Sequence, residues 1–194
     1  VPARDLVDFQ DWLSIEGLTM TALRLRRATE QDARPLAELA DKTFRDTYTQ
    51  FNTPENMEAH CSKSFGEEIQ RAEIRDTRRE SWLGELDGKL VAFAQLILDK
   101  ACPPLPAKRG IEILRFYVDS SQHGKGVAYR LMDQLAARAL ALDAEVLWLG
   151  VWDQNAHATA FYKRCQFETV GTKTFALGTE VQSDWVMSRD LTRA

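Results

Sequence analysis

Apolar and polar positions alternate, cluster and change period along the chain in a way that divides it into elements. Leu23-Arg24-Leu25-Arg26 has period two and predicts a short first strand. Thr29 stands as a helix cap, with Asp32 three residues on, and Leu36, Leu39, Ala40 and Phe44 then recur at helical spacing. Thr53 followed by Pro54 marks a second helix start, with Met57, Cys61 and Phe65 as its buried face. A charged helical piece covers about 67–76. The period then returns to two: a strand over 81–86, an Asp87-Gly88 hairpin turn, and a return strand over 89–98. Pro103, Pro104 and Pro106 mark a loop. A strong strand follows over 111–118, then an amphipathic helix over about 126–142 with Leu131, Leu135 and Ala139 on one stripe. A strand over 146–151, a helix over 155–164 and strands over 167–175 and 181–188 complete the order. This is a mixed α/β domain, mostly antiparallel, with one strand–helix–strand unit in the middle.

Composition narrows the function. The 194 residues suit one core; 44% are hydrophobic and 28% charged, as in an ordinary soluble protein. No stretch approaches the ~20 apolar residues of a membrane span. A net charge of -4 argues against a broad nucleic-acid surface and slightly favours a small cationic substrate. Cys61, Cys102 and Cys165 are odd in number and widely separated, so neither a disulfide framework nor a zinc site is expected, and the cytoplasm is the default location. Residues 1–19 carry scattered acidic side chains without the basic start and apolar run of a signal peptide. They are set apart as an N-terminal extension, and 20–194 as the domain.

The candidate chemistry starts at the end of the 111–118 strand. His123-Gly124-Lys125-Gly126-Val127-Ala128 joins that strand to a helix. The first amides of a helix have no internal partners and the helix dipole adds positive charge, so this turn can hold a phosphate. A dinucleotide GxGxxG fingerprint would need glycine where Tyr129 stands, and a Walker loop would need Ser or Thr where Gly126 stands. The plain alternative is a glycine turn into a helix with no ligand. The loop resembles the pyrophosphate-binding loop of GNAT N-acetyltransferases, Q/R-x-x-G-x-G/A: Gly126 and Ala128 match, and His123 replaces Gln or Arg. Downstream, Asn155, Ala158, Tyr162 and Phe167 match the family pattern N-x-x-A-x-x-x-Y-x-x-x-G-F, with Gln166 in place of glycine. The two motifs lie about 30 residues apart in the right order, and the order of elements fits from Leu23 to Leu191.

The resemblance implies the GNAT fold, a mostly antiparallel sheet flanked by helices with a splayed strand pair forming the CoA cleft. It implies acetyl-CoA as co-substrate, no metal, and transfer of the acetyl group to an amine by direct attack in a ternary complex. Phe116, Tyr117 and Val118 would pair with the pantetheine arm. The backbone of His123, Gly124, Lys125, Gly126, Val127 and Ala128 would hold the pyrophosphate, and Asn155 and Tyr162 would line the same site. Tyr162 would be the general acid, where its motif-free reading is core packing; Asn155 alone reads as a helix cap.

Glu112 is the candidate general base, since several family members carry a glutamate at this offset. Its even spacing from Phe116 and Val118 puts all three on one face of a strand. The plain alternative is a solvent-facing side chain, and Asp119 is a second choice. The acceptor would lie among Phe44, Tyr48, Phe51 and Trp152. Arg45-Asp46-Thr47-Tyr48, Asn52-Thr53-Pro54-Glu55 and 112–118 are similar to bacterial polyamine acetyltransferases, so the acceptor expected is a small-molecule amine, with a polyamine as the leaning. A non-catalytic acyl-CoA sensor of the same fold and a protein or peptide N-acetyltransferase are the rivals. His60 and His157 read as surface helix residues, and Met57 and Cys61 as core. No nucleic-acid or membrane partner is expected, and the reading leaves room for a homodimer.

Overall fold

A computed structural model describes residues 23–177 and 180–192, with side chains at 176, 177 and 180 left aside; the 1–19 extension lies outside the described residues. Seven strands form one sheet in the order β1-β2-β3-β4-β5-β7-β6. They are β1 Arg24–Arg27, β2 Arg79–Leu86, β3 Lys89–Ile97, β4 Gly110–Val118, β5 Val146–Trp152, β6 Glu168–Leu177 and β7 Glu180–Asp190. All neighbours are antiparallel except β4 and β5. The helices are α1 Ala33–Tyr48, α2 Pro54–Ser64, α3 Glu67–Arg75, α4 Val127–Ala141 and α5 Ala156–Arg164. This is the expected mixed sheet, and no helix among the described residues is long and apolar enough to cross a membrane.

Local chemistry explains most element ends. Asp87 and Gly88 both have positive φ, 51° and 73°, which is what a two-residue hairpin requires. The Thr53 hydroxyl accepts from the Asn56 amide at 3.3 Å, with Pro54 at the first helical position of α2. Ahead of α1, a 3₁₀ turn over Glu30–Asp32 intervenes. The Thr29 amide donates to Asp32 at 2.8 Å, and Arg26 grips the same carboxylate through two bonds of 2.8 Å. Strand alternation then sorts the core. Leu83 and Phe93 face α1 and α2, where Leu36, Phe44, Met57 and Cys61 are buried. Ala92, Ala94, Ile111 and Ile113 face α4, packed on Leu131, Leu135 and Ala139. Met57 and Cys61 are thus core, as expected.

Two irregularities of β4 shape its surroundings. The first is that it pairs with β5 only from Gly110↔Val146 to Ile113↔Leu149; beyond, β5 continues on β7 while β4 stays with β3. The strands splay, and the backbone edge of 114–118 that faces β5 has no strand beside it. The second is a β-bulge. Leu96 faces Ile113 and Gln95 faces Arg115, so Leu114 is an extra residue. A bulge reverses the parity of everything after it. Ile111 and Ile113 therefore share the α4 face with Phe116 and Val118, while Tyr117 packs with Phe44 on the α1 side. The expectation that Glu112 shares a face with Phe116 and Val118 is overturned: Glu112 lies on the side of Arg115 and Tyr117.

Candidate functional site

The splay opens a cleft of about 870 Å³ between β4 and β5, and a smaller cavity of about 260 Å³ adjoins it. Tyr48, Leu114, Tyr117, Gly150 and Trp152 stand on the walls of both, so the two spaces meet along the splayed strands.

The outer cleft collects the residues expected to hold the acyl donor. Phe116, Tyr117 and Val118 form one wall, and His123, Gly124, Gly126, Val127 and Ala128 close one end. Gly124 and Gly126 have φ of 74° and 79°, a left-handed region that side chains seldom adopt. A Cβ at either would meet no protein atom within 4 Å, so the loop's surface lies open to the cleft. Gly126 caps α4, and the Arg130 amide makes the first helical bond, to Gly126 at 3.1 Å. The amides of the first turn therefore have no partner within the helix and suit the pyrophosphate of a CoA ester. The Lys125 amide is bonded instead to the Gln122 carbonyl at 3.3 Å, and Lys125 stands off the cleft wall. His123 Nε2 lies 2.9 Å from the Val118 carbonyl oxygen, tying the loop to the strand. His157, exposed as expected, stacks beside His123 at 6.3 Å on the same cleft.

Across the cleft, Asn155 caps α5, its side-chain oxygen accepting from the Ala158 amide at 3.0 Å. Its amide group also bonds the Tyr48 hydroxyl, which shares a further hydrogen bond with Tyr117. Tyr162 lines the cleft and meets Phe116 edge-on at 6.2 Å. Burial raises the Tyr162 phenol well above its ordinary value, with Tyr48 nearby adding to the effect. The hydroxyl therefore keeps its proton at neutral pH. Burial likewise raises Tyr48, against the opposing hydrogen bond from Asn155.

The inner cavity gathers most of the residues expected to bound the acceptor. Phe44, Tyr48 and Trp152 line it, as the sequence suggested, with Phe175 and Tyr117. Phe51 lies on the outer cleft, its ring 5.0 Å from that of Trp152. Glu112 is 5% exposed, so the solvent-facing alternative fails. Its carboxylate takes a hydrogen bond of 3.3 Å from Lys173 Nζ. Asp119 does not belong to either space: it is held by Lys42 at 3.0 Å and by Ser121, and those bonds keep its carboxyl down at about 2. Among the described residues, no group of three His, Cys, Asp or Glu side chains is placed to hold a metal ion.

Sequence reasoning missed several residues here. His60 is not a surface residue; it stacks on Phe44 at 4.4 Å, lines the inner cavity, and burial together with Arg115 lowers its pKa. It stands three residues after Met57 and one before Cys61, so helical spacing already put it near that buried face. Arg115 sits over the Phe65 ring at 5.3 Å and pairs with Glu73 at 2.5 Å. Lys173 and Asp184 sit opposite one another on β6 and β7, where period-two alternation gave no sign of a shared cavity.

Comparison with known proteins agrees with this geometry. The model of the Acetyltransferase (GNAT) family matches residues 37–167. An uncharacterized N-acetyltransferase of Mycobacterium bovis is 31% identical over 160 residues, which is 82% of this chain and 98% of that protein. Another, of Lactobacillus delbrueckii subsp. lactis, is 27% identical over 172 residues, 89% of this chain and 99% of the relative. Among solved structures, the PaiA N-acetyltransferase of Thermoplasma acidophilum in complex with coenzyme A superposes with a TM-score of 0.73 at 20% identity. That match covers 87% of this chain and 99% of the other, and it speaks to the fold.

Proposed function

The chain belongs to the GNAT family of acetyltransferases, and from that premise we propose that it acetylates a primary amine of a small molecule held in the inner cavity. As a family member it is an acyl-CoA-dependent N-acetyltransferase with acetyl-CoA as co-substrate. The observation that carries the acceptor reading is a buried carboxylate, Glu112, in an aromatic-walled cavity that adjoins the donor cleft. Aromatic faces and carboxylates both attract an ammonium group. The finer reading is a polyamine, favoured by Asp184 as a second carboxylate of that cavity and by Asp46 on the outer cleft.

Acetyl-CoA supplies an activated acyl group and a thiolate leaving group; the rest falls to the chain. An alkyl ammonium with a pKa near ~10.4 must lose a proton before it can attack, at about 4–5 kcal/mol at pH 7. Glu112, 3.3 Å from Lys173 Nζ, takes that proton directly or through water. A backbone amide of the free β4 edge donates to the oxygen on which charge develops. The C–N bond forms, the C–S bond breaks, and the amine sheds its second proton. Tyr162 donates to the departing sulfur. One proton is released to solvent per turnover. Because the two spaces adjoin, donor and acceptor are held together and attack is direct.

The test is thiol release from acetyl-CoA across a panel of alkyl monoamines, diamines, longer polyamines and peptides with free N-termini. The proposal expects turnover with small amines and little with peptides. Turnover confined to peptides would overturn it.

A further inference from the structure

Among the described residues, the charges that face the inner cavity come from β4, β6, β7 and α2, and they do not balance. Glu112 of β4 and Asp184 of β7 are both buried, with 5% and 7% of their surface exposed. Arg115 lines the cavity but is committed to Glu73 at 2.5 Å and to the Ser64 carbonyl at 3.3 Å. His60 of α2 is held toward its neutral form by burial and by Arg115. Lys173 is left to face both carboxylates.

Its reach is built into the sheet. Lys173 starts on β6 directly opposite Asp184 on β7. From there its chain crosses β7 and β5 to bring Nζ within 3.3 Å of Glu112 on β4. The ammonium also lies 5.4 Å from the centre of the Trp148 ring. The crossing is possible because β5 presents Gly150 at this point. A Cβ there would overlap Lys173 Cε and stand 2.7 Å from Nζ and 3.2 Å from Asp184 Oδ2. The bare glycine is a slot in which the lysine lies between the two acids. Burial raises Asp184 and Lys173 counters that rise, so the two sense one another.

We infer that Lys173 is a specificity-determining residue: lying over Gly150 between Glu112 and Asp184, it leaves the inner cavity one positive charge short, so the site admits a single ammonium group. An acceptor that brings two ammonium groups close together must place the second against Lys173. A long polyamine meets the condition by putting one end inside and leaving its other charges in the open cleft. The inference rests on the inner cavity being the acceptor site.

The probes are butylamine and 1,4-diaminobutane, with kcat/KM for each at saturating acetyl-CoA and calorimetric binding of each in the presence of CoA. Lys173→Met keeps the apolar stem and removes the charge. Gly150→Ala keeps every charge and evicts the ammonium from its slot. Wild type should favour butylamine. In Lys173→Met the ratio of diamine to monoamine should rise roughly tenfold or more, the scale of a close charge pair in a partly dry site. Gly150→Ala should move the ratio the same way by less. A structural role alone would weaken both amines equally, so an unchanged ratio in both variants, with wild type still acting on amines, overturns the role of Lys173. Failure of both amines to bind wild type and both variants would overturn the acceptor assignment and the inference together.

Discussion

Tyr162 is a buried phenol whose pKa is raised well above its ordinary value, and it borders the space that the acyl donor would fill. A group so placed keeps its proton in the ground state and donates to the sulfur only as negative charge develops there. The hydroxyl then matters in the transition state more than in the ground state. Tyr162→Phe should lower kcat by roughly 10²-fold or more, within the range of general acid catalysis. Acetyl-CoA affinity by calorimetry should stay nearly unchanged. A Tyr162→Phe enzyme with wild-type kcat, and chemistry shown to limit the rate, would reduce Tyr162 to packing against Phe116 and Phe167. Tyr162 could be picked out in the sequence because Asn155, Ala158 and Phe167 stand at fixed offsets from it, on one short helix and just beyond its two ends. His60, Arg115, Lys173 and Asp184 could not be placed that way, since their roles come from partners far away in the chain.

At the scale of the element, α5 shows how a local rule can be satisfied without its usual residue. The helix ends in a Schellman motif: the Phe167 amide donates to the Tyr162 carbonyl and the Gln166 amide to that of Lys163, both at 3.0 Å. The Tyr162 and Phe167 rings, 5.9 Å apart, supply the hydrophobic contact across it. The motif requires a left-handed residue, and Gln166 adopts φ 68° where glycine is favoured. Gln166→Gly should therefore stabilise the fold by about 0.5–1 kcal/mol, read as a raised urea midpoint at unchanged slope. A lowered midpoint would mean that the Gln166 side chain contributes more than its backbone strain takes away. This turn was legible because its signal is local, as were the Asp87-Gly88 hairpin and the Thr53-Pro54 helix start. The bulge at Leu114 was not. It depends on how β4 registers against β3, and nothing in the run 111–118 departs from a regular strand. One extra residue moved Glu112 from the face of Phe116 to the face of Tyr117.

For the whole molecule, that bulge and the end of β4–β5 pairing at Ile113 act together. The splay makes the donor cleft and leaves the backbone edge of 114–118 open to it; the bulge turns Glu112 through the sheet into the inner cavity. The two spaces thus adjoin across the splayed strands, with Tyr162 on the outer cleft and Glu112 in the inner cavity. The order of elements and the donor half were readable from motif and periodicity. The inner cavity is assembled from α1, α2, β4, β5, β6 and β7, and only Glu112 and the aromatic residues of α1 and the end of β5 pointed to it. The central claim is that Glu112 takes the acceptor's proton. The most direct measurement is a pH–rate profile of wild type and Glu112→Gln on one amine confirmed by thiol release. Base catalysis contributes about 10²–10⁴-fold, and water can partly substitute, so kcat/KM at pH 7 should fall roughly 10- to 100-fold in the variant. The deficit should shrink as pH rises toward the acceptor's own pKa, where neutral amine becomes abundant without a base. A deficit that stays constant across pH with raised KM and retained kcat would make Glu112 a binding group, and no deficit at any pH would contradict the account outright.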